Sequence, residues 1–156
     1  MTPAISIRTG DAADRAFVRD LGRRVAATSV SAIRPAPLAL VELAYDRLIG
    51  FIFEHHYDLL IAADARRPLG FLLLLRDLPD EVTATEQAFV AYMAVEPDAR
   101  RQGIGTALLR GAEELARADG LGILSLMVTE DNADARKLYD RFGLRTERRM
   151  MTKVLG

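Results

Sequence analysis

Arg100-Arg101-Gln102-Gly103-Ile104-Gly105-Thr106 sets two guanidinium groups beside two glycines, a pairing suited to holding an anion. Upstream, the apolar run Ala88 to Val95 reads as a buried strand that ends at Glu96-Pro97-Asp98, where proline blocks further ladder pairing. Downstream, Ile104, Ala107, Leu108, Gly111 and Leu115 recur at helical spacing. A helix starting at the glycines points unpaired N–H groups and the positive end of its dipole at whatever docks there. Gly103 and Gly105 are expected to clear side chains from the path of phosphate oxygens. The nucleotide P-loop is excluded, since Gly105 is followed by Thr106 with no lysine. The dinucleotide fingerprint is excluded too, because Leu108 occupies its third glycine position.

A second segment, Asn132-Ala133-Asp134-Ala135-Arg136-Lys137-Leu138-Tyr139 followed by Arg141-Phe142-Gly143-Leu144, lies one apolar run (Ile123 to Val128) further on. The Arg-x-x-Gly-x-Gly turn together with this Asn-x-x-Ala-x-x-Leu-Tyr pattern resembles the GNAT superfamily of acyl-coenzyme A-dependent N-acetyltransferases. The resemblance extends over most of the chain, with the specific motifs confined to residues 90 to 143. It implies an α+β fold with a splayed central mixed β-sheet of about six or seven strands flanked by about four helices. It further implies acetyl-coenzyme A as co-substrate, with the pyrophosphate at Arg100, Arg101, Gln102, Gly103, Ile104, Gly105 and Thr106. Backbone groups of Met93, Ala94 and Val95 would bind the pantetheine arm, and Asn132 would hold the helix entrance or the arm. Tyr139 would protonate the leaving sulfur.

The reaction so implied is direct attack of a primary amine on the thioester. An amine with a pKa of about 10.4 must lose a proton first, at a cost of roughly 4 to 5 kcal/mol at pH 7 unless the site helps. Glu86, at the entrance to the strand, is the first candidate base, with Glu96, Tyr92, His55 and His56 behind it and water-mediated transfer as the alternative. The chain departs from family members that carry a glutamate on this strand, because Phe89 stands at the matching position. A non-enzymatic acyl-coenzyme A sensor or interaction module would keep the cradle without transferring acetyl.

The elements that must position these groups follow in order. Ile5 to Arg8 reads as a strand, and Asp11 or Asp14 caps a helix with Phe17, Leu21 and Val25 on its core face. A loop rich in serine and proline (Thr28 to Pro37) precedes a second helix, Leu38 to Glu54, with Val41, Tyr45, Leu48 and Ile52 as its apolar stripe. Tyr57 to Ala63 and Leu69 to Leu75 form a hairpin, and Leu144 to Leu155 is expected to be a last strand. By analogy, Ser29 through His56 forms a wall of the acceptor site and offers Glu42, Tyr45, Asp46, Glu54, His55 and His56.

A chain of 156 residues fits one domain, 1–156. With no cysteine it has no disulfide, thiolate metal site or cysteine nucleophile, and no metal is expected. No secretory leader or membrane-spanning stretch is read, so a cytoplasmic location is expected. A formal charge of -1 argues against a nucleic-acid-seeking surface. The expected partners are a small-molecule or peptide amine, with neither nucleic acid nor membrane, and a homodimer is allowed.

Overall fold

Strands with near-continuous apolar sequence need cover on both faces, and two here, Leu59 to Ala62 and Leu69 to Leu74, are buried throughout. In a computed structural model describing residues 4–156 they are the centre of a five-stranded sheet. Its strands are β1 (Ser6–Thr9), β2 (Asp58–Ala63), β3 (Pro68–Leu75), β4 (Ala88–Val95) and β5 (Leu124–Leu126), adjacent in sequence order. The first four pair antiparallel, while β5 lies parallel to β4. That parallel pairing requires a crossover, supplied by helix α3 (Ile104–Ala118).

Helices α1 (Arg15–Val25) and α2 (Leu38–Phe53) cover one face, where Val18, Leu21, Tyr45, Ile49 and Ile52 meet Ile61, Phe71, Leu73 and Ala94. Helix α3 covers the other, packing Ile104, Leu108, Leu109 and Ala112 on Leu60, Leu72, Leu74 and Val90. Leu138, Tyr139 and Phe142 of helix α4 (Ala133–Phe142) join that second layer. On α1 the buried face is Val18, Leu21 and Val25, with Phe17 half-buried. On α2, Ile49 takes the core place expected for Leu48, which is 40% exposed.

Two expectations need correction. Among the described residues the sheet has five strands instead of six or seven, and Leu144 to Leu155 forms none of them. Apolar residues in that tail fall at 144, 150, 151, 154 and 155 among five charged ones, so neither face alternates. Met150, Met151, Val154 and Leu155 are accordingly 69–91% exposed. The tail is tied back through Arg148, 2.7 Å from Asp80, and Arg34, whose Nη2 donates to Thr152 Oγ1 at 3.5 Å. Met1 to Pro3, part of the stretch read for a secretory leader, lie outside the described residues. No described helix is long and apolar enough to cross a membrane.

Candidate functional site

The site begins where the sheet opens. β5 pairs only with Ala88, Phe89 and Val90, while β4 continues to Val95 with β3 as its sole neighbour. The far edge of Ala91 to Val95 therefore offers backbone groups to a ligand. A register shift opposite Leu73 and Leu74 leaves Ala91 as an extra residue, a bulge at the point of parting. Ala91 and Tyr92 consequently both pack toward the α1/α2 face.

The direction of each backbone group follows from the ladder. Glu96 N–H donates to Leu69 O at 2.8 Å, so by the alternation of an antiparallel pair Ala94 also faces β3. A Cβ built on Gly70 would lie 2.9 Å from Ala94 O, which agrees. Met93 and Val95 then present their N–H and C=O groups to the open edge. Of the three backbones expected to hold the arm, two face the opening and Ala94 does not.

At the end of β4 the chain turns through Pro97–Ala99 into the glycine-bearing turn. Arg101 (φ 62°) and Gly103 (φ 78°) both adopt left-handed conformations there. The first α3 bond of this turn runs from Ala107 N–H to Gly103 O at 3.0 Å. The N–H groups of Ile104, Gly105 and Thr106 precede the ladder and remain available to an anion. Arg100 and Arg101 have no acidic partner within 4 Å among the described residues, because Asp98 is taken by Arg67 at 2.7 Å. Gln102, also expected here, is exposed within the turn.

The two glycines do different work. A side chain at Gly103 would meet nothing within 4 Å, so its need is the positive φ. A Cβ at Gly105 would come 2.7 Å from Leu138 Cδ2 and 3.8 Å from Met93 Cε. Gly105 thus lets α4 approach α3, whereas the sequence suggested that it clears room for phosphate.

Helix α4 closes the slot from the α3 side. Asn132 caps it, its Oδ1 accepting from Ala135 N–H at 3.3 Å. Its far end stops at Gly143 (φ 102°), where Leu144 N–H donates to Tyr139 O at 3.0 Å. Tyr139 is held against the core, and its hydroxyl has no hydrogen-bond partner among the described residues. Among the described residues no polar side-chain atom is sealed away without a partner, so this hydroxyl is not fully enclosed. Burial, and secondarily the neighbouring Tyr92, push the Tyr139 pKa above its ordinary value. It therefore stays a proton donor across the neutral range. Tyr92 is also raised by burial, with nearby Ser29 acting the other way.

The candidate bases are not gathered at the opening. Glu86 is exposed just before β4, at the end where β4 still pairs with β5. At a strand rise of ~3.3 Å per residue it stands up to about 17 Å from Ala91. Glu96 is held by Arg24 through two contacts of 3.0 and 2.7 Å. His55 folds back on α2, its Nδ1 2.7 Å from Phe51 O, and His56 follows it near solvent. No group of three or more metal-ligating side chains occurs among the described residues.

Several polar side chains of Ser29 through His56 are engaged within the fold or stand apart from one another. Tyr45 is buried and donates to Val18 O at 2.7 Å, Asp46 is paired with Arg23, and Glu54 sits at the far end of α2. Between the α1–α2 loop and the β5–α4 loop lies a pocket of about 420 Å³, lined by Val30, Ala32, Pro35, Leu38, Val41 and Asp131, among others. Two bonds join these loops, Thr129 Oγ1 to Ser29 O at 2.6 Å and Ala32 N–H to Asp131 Oδ2 at 2.8 Å. Thr129 and Asp131 escaped the sequence reading. The segment Thr129-Glu130-Asp131-Asn132 signals a turn and cap, but nothing in it names partners about a hundred residues away.

The model of the acetyltransferase (GNAT) family matches residues 23–144. An uncharacterized N-acetyltransferase of Methanocaldococcus jannaschii is 35% identical over 77 residues, 49% of this chain and 34% of its own length. A mycothiol acetyltransferase of Clavibacter michiganensis is 42% identical over 83 residues, 49% of this chain and 27% of its own. The chain thus matches about a third or less of the length of these curated relatives. A solved putative acetyl transferase from Pyrococcus furiosus superposes with a TM-score of 0.83 at 26% identity, covering 97% of this chain and all of that one.

Proposed function

The chain belongs to the acetyltransferase (GNAT) family, and from that premise we propose that it transfers an acetyl group from acetyl-coenzyme A to a primary amine. The observation that carries this reading is the parting of β4 from β5 after Val90, with the α3 N-terminus standing at the end of the same strand. Acetyl-coenzyme A supplies a thioester that an amine can attack, with a thiolate as leaving group. The N–H groups of Ile104, Gly105 and Thr106, with Arg100 and Arg101, bind its pyrophosphate by charge-assisted bonds. Met93 and Val95 satisfy the amides of its arm along the open edge. A backbone N–H near the Ala91 bulge polarises the carbonyl and favours the charge that develops on its oxygen. Tyr139, kept protonated by burial, gives its proton to the departing sulfur.

With Glu96 committed to Arg24 and Glu86 remote from the bulge, the amine loses its proton to water in the slot. That same shortage of a carboxylate favours a second reading, coenzyme A binding without transfer. Calorimetric titration with acetyl-coenzyme A, followed by thiol release across a panel of primary amines, separates the two. Binding with amine-dependent thiol release supports the transferase. Binding without release by any amine supports the sensor, and no binding by folded protein overturns both.

A further inference from the structure

We infer that the pocket between the α1–α2 and β5–α4 loops selects the acceptor by chemical class: an amine with a plain hydrocarbon body and no carboxylate, its cationic form held by Asp131. The inference rests on the transferase reading above and adds to it which amines the site takes. The pocket, of about 420 Å³, falls within the size range of small-molecule sites, about 300 to 1,000 Å³.

The lining sets the chemistry. Val30, Ala32, Pro35, Leu38 and Val41 give the pocket apolar walls, and Asp131 is the one ionisable side chain among its lining residues. Ser31, the other polar side chain there, already accepts from Ile33 N–H at 3.2 Å. A hydrocarbon body gives up its water against these walls and leaves no polar group unpaired. Hydroxyls or amides carried in with it would lose hydrogen bonds to water and find few in return. A carboxylate on the ligand would meet Asp131 and no arginine, lysine or histidine in the lining, so like charges would oppose each other. An ammonium group meets the opposite case.

Asp131 is also aimed. Its Oδ2 accepts from Ala32 N–H at 2.8 Å, which ties the carboxylate to one wall of the pocket and leaves Oδ1 for a ligand. Thr129 Oγ1, donating to Ser29 O at 2.6 Å, fastens the same two loops a second time. A pocket braced in this way needs less ordering when a ligand binds.

Position links the pocket to the reacting carbonyl. Val30 follows Ser29, which lies beside Tyr92, and Tyr92 comes one residue after the Ala91 bulge where the strands part. Tyr92 packs in the α1/α2 layer and Tyr139 in the α3/α4 layer. An amine arriving through the pocket therefore comes to the thioester from the layer opposite its proton donor.

The test measures kcat and KM by thiol release from acetyl-coenzyme A, with chemistry rate-limiting, for straight-chain amines from propylamine to hexylamine. A second comparison sets phenethylamine against phenylalanine, which differ only by the carboxylate. KM should fall about two- to fourfold per added methylene, with kcat nearly constant. Phenethylamine should exceed phenylalanine in kcat/KM by about tenfold or more, the low end for a charge-assisted contact. Asp131→Asn, whose amide oxygen can still accept from Ala32 N–H, should raise KM for hexylamine by about tenfold at little cost in kcat and narrow the phenethylamine preference. Leu38→Asn, at a side chain 58% exposed and so spared by the fold, should flatten the chain-length series. A KM indifferent to chain length, phenylalanine used as well as phenethylamine, or parental KM values in Asp131→Asn would each overturn the subsite, while amine-dependent release leaves the transferase standing. No release with any amine, by protein that binds acetyl-coenzyme A, would overturn both.

Discussion

Gly105 and Leu138 meet where the two sequence motifs converge, with a Cβ on the glycine falling 2.7 Å from Leu138 Cδ2. One residue opens α3 and the other lies one position before Tyr139 on α4. Packing between them sets where the Tyr139 hydroxyl stands. Gly105→Ala should displace Leu138 and cost about 1 to 3 kcal/mol by overpacking. Leu138→Ala in the same chain should recover part of that loss, a coupling that denaturant titration of the double-mutant cycle reads directly. Additive losses would mean that α3 and α4 do not press on each other here.

Gly103 and Arg101 separate conformation from charge. Gly103 has open space around it and a φ of 78°, so Gly103→Val strains the backbone without an apo clash. It should cost about 1 to 2 kcal/mol of stability and weaken coenzyme A binding as the cradle N–H groups turn away. Arg101 already occupies φ 62°. Arg101→Gly should leave stability nearly unchanged and lower affinity by about tenfold through lost charge. If Arg101→Gly destabilised the fold as much as Gly103→Val, the division of labour assigned here would be wrong.

Tyr139→Phe keeps the ring in the α3/α4 core and removes a hydroxyl that has no protein partner. Folding stability should hardly move. Turnover should fall about a hundredfold or more while acetyl-coenzyme A affinity is retained, the signature of a lost general acid. Equal single-turnover rates in parent and variant would remove Tyr139 from the chemistry.

Much of this site could be read before the structure. β4 spans Ala88–Val95 as expected, because Pro97 fixes its end, and α3 and α4 start at the glycine turn and the Asn132 cap that announced them. The parting of the strands could not be read. Ile123 to Val128 looks like one apolar strand, yet only Leu124–Leu126 pair, and Met127 turns out to 85% exposure. Apolar character reports burial, not which neighbour a strand keeps. Glu86 was placed by nearness in sequence to β4, but an extended strand carries each residue away from the next, so adjacency at one end is distance at the other. Tyr45 and Asp46, read as polar groups offered to an acceptor, instead find partners on α1, across a helix interface that a linear reading of α2 does not contain.

Alkaline stability offers a check on the buried phenols. Tyr45, Tyr92 and Tyr139 all have pKa values raised by burial, so the folded protein holds their protons more tightly than the unfolded chain does. The stability this contributes is fully present below the unfolded value of about 10 and is lost as pH climbs through the folded ones. Melting temperature should therefore be flat toward pH 9 and fall steeply above pH ~10. Tyr139→Phe, lacking one of the three, should fall less steeply while matching the parent near neutrality. Ultraviolet titration of native protein gives the independent reading: three of the four tyrosines should resist ionisation until the chain unfolds. Smooth tyrosinate formation by all four near pH 10, with the fold intact, would show that the opening beside Tyr139 and Tyr92 is wetter than the packing described here allows.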